Sequence, residues 1–112
     1  LACLDRGIPA FHYMIALAGG DSIRCAPYAI FGSRELSDFV VEALRDRTAC
    51  LLAHHGMVCF AENLKAVLAL AVEVENLARV YVQCLRIAEP KLLSADEMGR
   101  VIDQFAEYRK AL

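Results

Sequence analysis

Apolar positions change their period along the chain, and each change marks an element. Ala10 to Ala18 is an apolar run that stops at Gly19-Gly20. Periodicity leaves it open as a buried strand or a short helix. Ser22 to Phe31 reads as extended, because Pro27 disfavours the helical region for Ala26. From Ser33 the spacing turns helical: Leu36, Phe39, Val40, Ala43 and Leu44 share one face, Ser33 stands at the N-cap, and Arg45-Asp46-Arg47 ends the helix. Thr48 to His55 is an apolar run rising to His-His-Gly, and Met57 to Phe60 follows it. Together they predict two strands joined or bent at Gly56. Asn63 caps a long helix whose apolar stripe includes Leu64, Val67, Leu68, Ala71, Val74, Leu77, Ala78, Tyr81 and Leu85, with Pro90 closing the region. Ser94 and Glu97 have the spacing of a capping box, and Met98, Val101, Ile102 and Phe105 give the last helix its buried face. Short extended segments alternating with amphipathic helices, without an internal repeat, predict an α/β fold.

Composition narrows what such a fold can do. The 112 residues suffice for one compact domain. At 58% hydrophobic, the chain has more apolar surface than a domain of this size needs to bury. Part of that surface is therefore expected to face a missing segment or neighbouring subunits. No membrane span is predicted, since every apolar stretch is broken well before ~20 residues; Lys65, Glu73, Glu75 and Arg79 interrupt the longest helix. Twelve basic and fourteen acidic side chains give a formal net charge of -2 with no basic run, which argues against nucleic acid as a partner. The five cysteines are odd in number, spread out and free of any C-x-x-C pair. They suggest neither a disulfide framework nor a thiolate zinc site, and they fit a reducing cytoplasm. Leu1 to Pro9 carries Asp5 and Arg6 where a signal peptide would be apolar, and a start at Leu rather than Met reads as the loss of something upstream.

Few residues could carry chemistry. His54 and His55 are adjacent, so on a strand they would point to opposite faces and at most one could look into a given site. A catalytic zinc needs about three protein ligands, and the only other histidine, His12, is far off in sequence. His55 is thus either a ligand completed from elsewhere or a hydrogen-bonded structural histidine beside a turn. Tyr13 could donate a proton or stabilise an oxyanion, or could be core with a satisfied hydroxyl. Glu73 and Glu75, two apart on a helix, do not face each other and read as a solvated face. Gly19-Gly20-Asp21-Ser22 lacks the spacing of a phosphate loop and reads as a turn.

Four segments in order, Ile8-Pro9-Ala10-Phe11-His12-Tyr13-Met14-Ile15, Cys25-Ala26-Pro27-Tyr28-Ala29, Phe31-Gly32-Ser33-Arg34-Glu35-Leu36-Ser37 and Leu51-Leu52-Ala53-His54-His55-Gly56, resemble the class II aldolase/adducin family. The resemblance continues through Glu73-Val74-Glu75 and Leu77-Ala78 to Leu93-Ser94 and Phe105, which is essentially the whole chain. It implies a three-layer α/β/α fold with a central mixed sheet, of which residues 1–112 would be the C-terminal half of a single domain. It also implies one Zn2+ per subunit, held by three histidines with a glutamate nearby. The second histidine of His-His-Gly maps onto His55, whereas the other ligands, the glutamate and the phosphate-binding loops belong to an upstream half. The implied reaction is reversible cleavage of a ketose 1-phosphate, L-fuculose 1-phosphate by resemblance, to dihydroxyacetone phosphate and L-lactaldehyde.

By the same resemblance, Tyr13 matches a catalytic tyrosine reaching in from an adjacent subunit. Phe31 matches a position lining the aldehyde pocket, and Tyr108 a mobile C-terminal tyrosine that helps close the site. The pattern implies a cytoplasmic homotetramer with intersubunit active sites and a sugar-phosphate substrate, with neither nucleic acid nor membrane as partner. The isolated 112 residues are expected to be inactive. Two alternatives stand beside this reading. One is a pentulose-phosphate 4-epimerase or another sugar-phosphate enzyme of the same fold, against which Ile8 to Met14 with Tyr13 favours the aldolase. The other is a non-catalytic adducin-like module, against which His55 and Tyr13 weigh.

Overall fold

A computed structural model describes residues 1–111. Its centre is the strand β2, Ala49–Leu52, buried at all four residues. Burial on both faces explains why Ala-Cys-Leu-Leu shows no alternation of apolar and polar positions. The short strand β1, Cys25–Ala26, runs parallel to β2, and β3, Gly56–Cys59, runs antiparallel on its other side. The resulting mixed sheet has the order β1-β2-β3, with Cys25 opposite Leu51 and Ala49 opposite Cys59.

Alternate residues of β2 serve two cores. Cys50 and Leu52 join Ala26 and Ala43 beneath the helix α1, Arg34–Ala43, whose Leu36, Phe39 and Val40 pack there. Ala49 and Leu51 join Ile8, Ile15, Val74, Leu77, Tyr81 and Met98 on the opposite face. That face is covered by α2, Leu64–Leu85, by α3, Ala95–Ala111, and by a 3-10 helix at Tyr13–Ala18. Helices on both sides of a mixed sheet make the three-layer α/β/α arrangement.

The ambiguous apolar run before Gly19-Gly20 therefore resolves as the short helix. His12 starts it, its Nδ1 accepting from the Met14 N–H at 3.1 Å, and Gly19 ends it in the left-handed region at φ 101. Gly20 has a second role. The Arg47 guanidinium packs so closely over it that a Cβ there would collide, while Arg47 donates to the Ser22 carbonyl at 2.8 Å and to Asp21 Oδ1 at 3.0 Å.

The helix starts follow the sequence closely. Ser33 Oγ accepts from Leu36 N at 3.1 Å, and Asn63 Oδ1 accepts from Ala66 N at 2.8 Å. Before α3, Ser94 Oγ accepts from Glu97 N at 3.0 Å, but the Glu97 carboxylate accepts from Arg100 at 3.1 Å. Half of the expected capping box is thus formed.

The stripe expected along α2 is only partly buried. Val74, Leu77 and Tyr81 are enclosed, whereas Leu64 is 87% and Leu68 65% exposed. The reason is length: twenty-two helical residues extend about 33 Å, and the four residues of β3 only about 13 Å. The N-terminal turns of α2 overrun the sheet. Near its other end, Arg6 donates to the Tyr81 hydroxyl at 2.7 Å and to Glu89 at 3.0 Å, fastening the start of the chain across α2. Among the described residues no helix is long and apolar enough to cross a membrane.

Candidate functional site

The pairing of β2 with β3 decides where the histidines sit. Leu52 stands opposite Gly56, so Ala53, His54 and His55 form a three-residue hairpin loop. This corrects the expectation of a strand running to His55. Adjacent side chains on a turn need not oppose each other, and both imidazoles are exposed beside the same neighbour, Tyr28. The His55 ring stacks on Tyr28 with centroids 5.5 Å apart and planes 11° from parallel; His54 meets Tyr28 edge-on at 5.8 Å and 81°.

Main-chain bonds pin the loop. Ala53 N–H donates to the Ala26 carbonyl at 2.9 Å, His54 N–H to Ala2 at 3.1 Å, and His55 N–H to Leu52 at 3.0 Å. His54 is left-handed at φ 63, and Gly56 lies at φ 145, where a side chain would be strained. His55 Nε2 lies 2.9 Å from the Ala29 carbonyl. A carbonyl only accepts, so Nε2 carries the proton and the other ring nitrogen of the neutral imidazole keeps a free lone pair.

An exposed imidazole tied to a backbone carbonyl through one nitrogen is suited to ligate a metal through the other. Among the described residues, however, no group of three or more His, Cys, Asp or Glu side chains could hold an ion. His55 fits as one ligand; a complete site needs others from outside these residues.

The remaining sequence-derived candidates lie in two places. Phe31, 79% exposed, ends the same loop as Tyr28 and Ala29. Tyr13 begins the 3-10 helix, half-exposed, with its ring stacked on His12 at 5.0 Å and tilted against Phe105 of α3 at 6.1 Å. Its hydroxyl makes no hydrogen bond among the described residues. Tyr108 lies exposed on α3. The fold brings His55 beside the loop of Phe31 and sets Tyr13 on the α3 side, with no ring contact between the two groups among the described residues. An open groove between β3 and α2, lined by Met57, Val74, Glu75 and Arg79 among others, includes none of the four candidates.

Tyr28 and Ala29 were not singled out by sequence reasoning as neighbours of the histidines. They lie in a motif that marks the family, yet their meeting with His55 depends on the parallel pairing of β1 and β2 across 25 intervening residues, which no local pattern encodes.

The chain belongs to the class II aldolase and adducin family: the Class II Aldolase and Adducin N-terminal domain matches residues 1–82. Over 108 residues it is 58% identical to the 5-methylthioribulose-1-phosphate/5-deoxyribulose-1-phosphate aldolase of Rhodospirillum rubrum, covering 96% of this chain and 49% of that protein. It is 51% identical over 109 residues to the L-fuculose phosphate aldolase of Escherichia coli, covering 96% and 51%. A solved L-fuculose 1-phosphate aldolase superposes with a TM-score of 0.89 at 40% identity, over 95% of this chain and 50% of that one. The chain spans about half the length of the relatives it matches.

Proposed function

We propose that the whole protein is a metal-dependent aldolase cleaving a ketose 1-phosphate to dihydroxyacetone phosphate and an aldehyde, and that this chain is the C-terminal half of its single domain. The observation that carries the reading is the His54-His55 turn, which presents one imidazole already tied through Nε2 to a carbonyl, in a chain whose relatives are named as aldolases. The metal assigned is Zn2+, one per subunit, with His55 as one ligand and the others contributed from beyond these residues. When bound, such an ion acts as a Lewis acid that stabilises developing negative charge by several kcal/mol.

The roles left to this chain follow from its own side chains. As the carbon–carbon bond breaks, the hydroxyl that becomes the aldehyde oxygen gives its proton to a base, the electron pair of the bond stays with the other fragment, and a proton added to that carbon completes dihydroxyacetone phosphate. In the reverse direction the Tyr13 phenol, with no partner of its own among the described residues, returns that proton or hydrogen-bonds the oxygen. Tyr13 and His55 share no ring contact among the described residues, which suits a homotetramer where each active site takes Tyr13 from a neighbour. Phe31 is assigned as an apolar wall for the aldehyde tail, and Tyr108, exposed on α3, as the side chain that helps close the site in the assembled protein. The setting proposed is cytoplasmic, without nucleic acid or membrane as partner.

Three substrates compete. The sequence motifs favour L-fuculose 1-phosphate, while the 58% identity to an aldolase named for 5-methylthioribulose and 5-deoxyribulose 1-phosphates favours those pentulose derivatives. The full-length protein should cleave ketose 1-phosphates, and kcat/KM measured on all three decides which it prefers. Failure to release dihydroxyacetone phosphate from any of them contradicts the proposal.

A further inference from the structure

We infer that Tyr28 is a positioning residue that fixes the ring plane of His55 for metal binding, an inference that rests on the reading of His55 as a ligand. The histidine sits on a turn and is exposed, so burial does not hold its side chain. Two contacts do. The Ala29 carbonyl accepts from Nε2 at 2.9 Å, which sets the tautomer and one end of the ring. One bond to an atom leaves the ring free to rotate about it. The Tyr28 face, 5.5 Å away and 11° from parallel, removes that freedom by stacking.

The two contacts come from consecutive residues of one loop. Pro27 restricts the entry to it, and the Ala53 N–H bond to the Ala26 carbonyl locks its base to the histidine turn. Tyr28 also meets His54 edge-on at 5.8 Å, a second contact that restrains its own ring. The hydroxyl takes no part in these contacts; the aromatic face does. Removing the ring should therefore loosen the ligand without removing it.

Zinc affinity of the full-length protein, measured by chelator competition with Zn2+ as the only added ligand, tests this. His55→Ala should abolish most of the affinity. Tyr28→Ala and Tyr28→Leu should each weaken it about tenfold, the low end of what loss of an outer-shell partner produces, and Tyr28→Phe should restore it. In the metal-free protein, the ring-proton NMR signals of His55 should move in the Ala and Leu variants and stay in place in Phe. Leu fills most of the volume of the ring, so it carries the test if the Ala variant fails to fold. Wild-type affinity in Tyr28→Leu, or a loss in Tyr28→Phe equal to that in Leu, overturns the role of Tyr28 while His55 remains a ligand. Wild-type affinity in His55→Ala overturns the ligand reading itself, and this inference with it.

Discussion

His54 holds φ 63 although it has a Cβ, a left-handed conformation uncommon outside Gly and found most often, among other residues, in Asn, Asp and His. The turn tolerates it because neighbouring amides are bonded to Ala2, Ala26 and Leu52, which leaves the loop little room to relax. Cys50 shows the opposite kind of constraint. Enclosed between the two layers, its thiol is pushed up to about 11 because burial penalises the thiolate. The unfolded chain deprotonates first, so this contribution to stability is complete below about pH 9 and is lost as pH rises towards 11, by at most about 2–3 kcal/mol. Urea titrations of the full-length protein should show a shallower alkaline loss in Cys50→Ala than in wild type; equal slopes contradict the assignment. For Tyr13→Phe the expectation is retained metal with cleavage slowed by about 10²–10⁴. An unchanged rate returns Tyr13 to a packing role against Phe105. The caps at Ser33, Asn63 and Ser94 were legible in the sequence because a cap is satisfied within three residues. The placement of His54 and His55 was not, because it follows from where β2 stops pairing with β3.

Helices and strands here differ in how far local pattern carries. Ser33→Ala and Asn63→Ala should each destabilise by ~1 kcal/mol, since each removes the acceptor for an otherwise free N–H at a helix start. Thermal unfolding of the two variants checks this, and an unchanged midpoint in both speaks against the caps. Periodicity marked the face of α2 that is apolar, yet it could not say what lies beneath. Val74, Leu77 and Tyr81 reach the sheet; Leu64 and Leu68 do not. Strand β2 was legible as apolar, and its two-sided burial explains why no alternation was there to be read. The Arg6 clamp on Tyr81 and Glu89 left no trace in pattern, because it joins positions 75 and 83 residues apart.

At the scale of the molecule, apolar surface remains uncovered. Leu64, Leu68, Val72, Val41 and Phe31 are all more than half exposed, and among the described residues β3 is an edge strand paired on one side only. Large exposed apolar patches mark interfaces, and open strand edges invite pairing. In the account proposed here, the rest of the protein and neighbouring subunits cover them, and the same assembly brings the missing ligands to His55. The family was legible because its motifs keep their order along the whole chain; the site was not, because the described residues hold no group of three or more His, Cys, Asp or Glu side chains that could bind an ion. Zinc content, measured side by side in the full-length wild type and in His55→Ala, tests the assignment of His55 as a metal ligand. One zinc per subunit is expected in the wild type and its loss in the variant; an unchanged metal content in His55→Ala rules out His55 as a ligand.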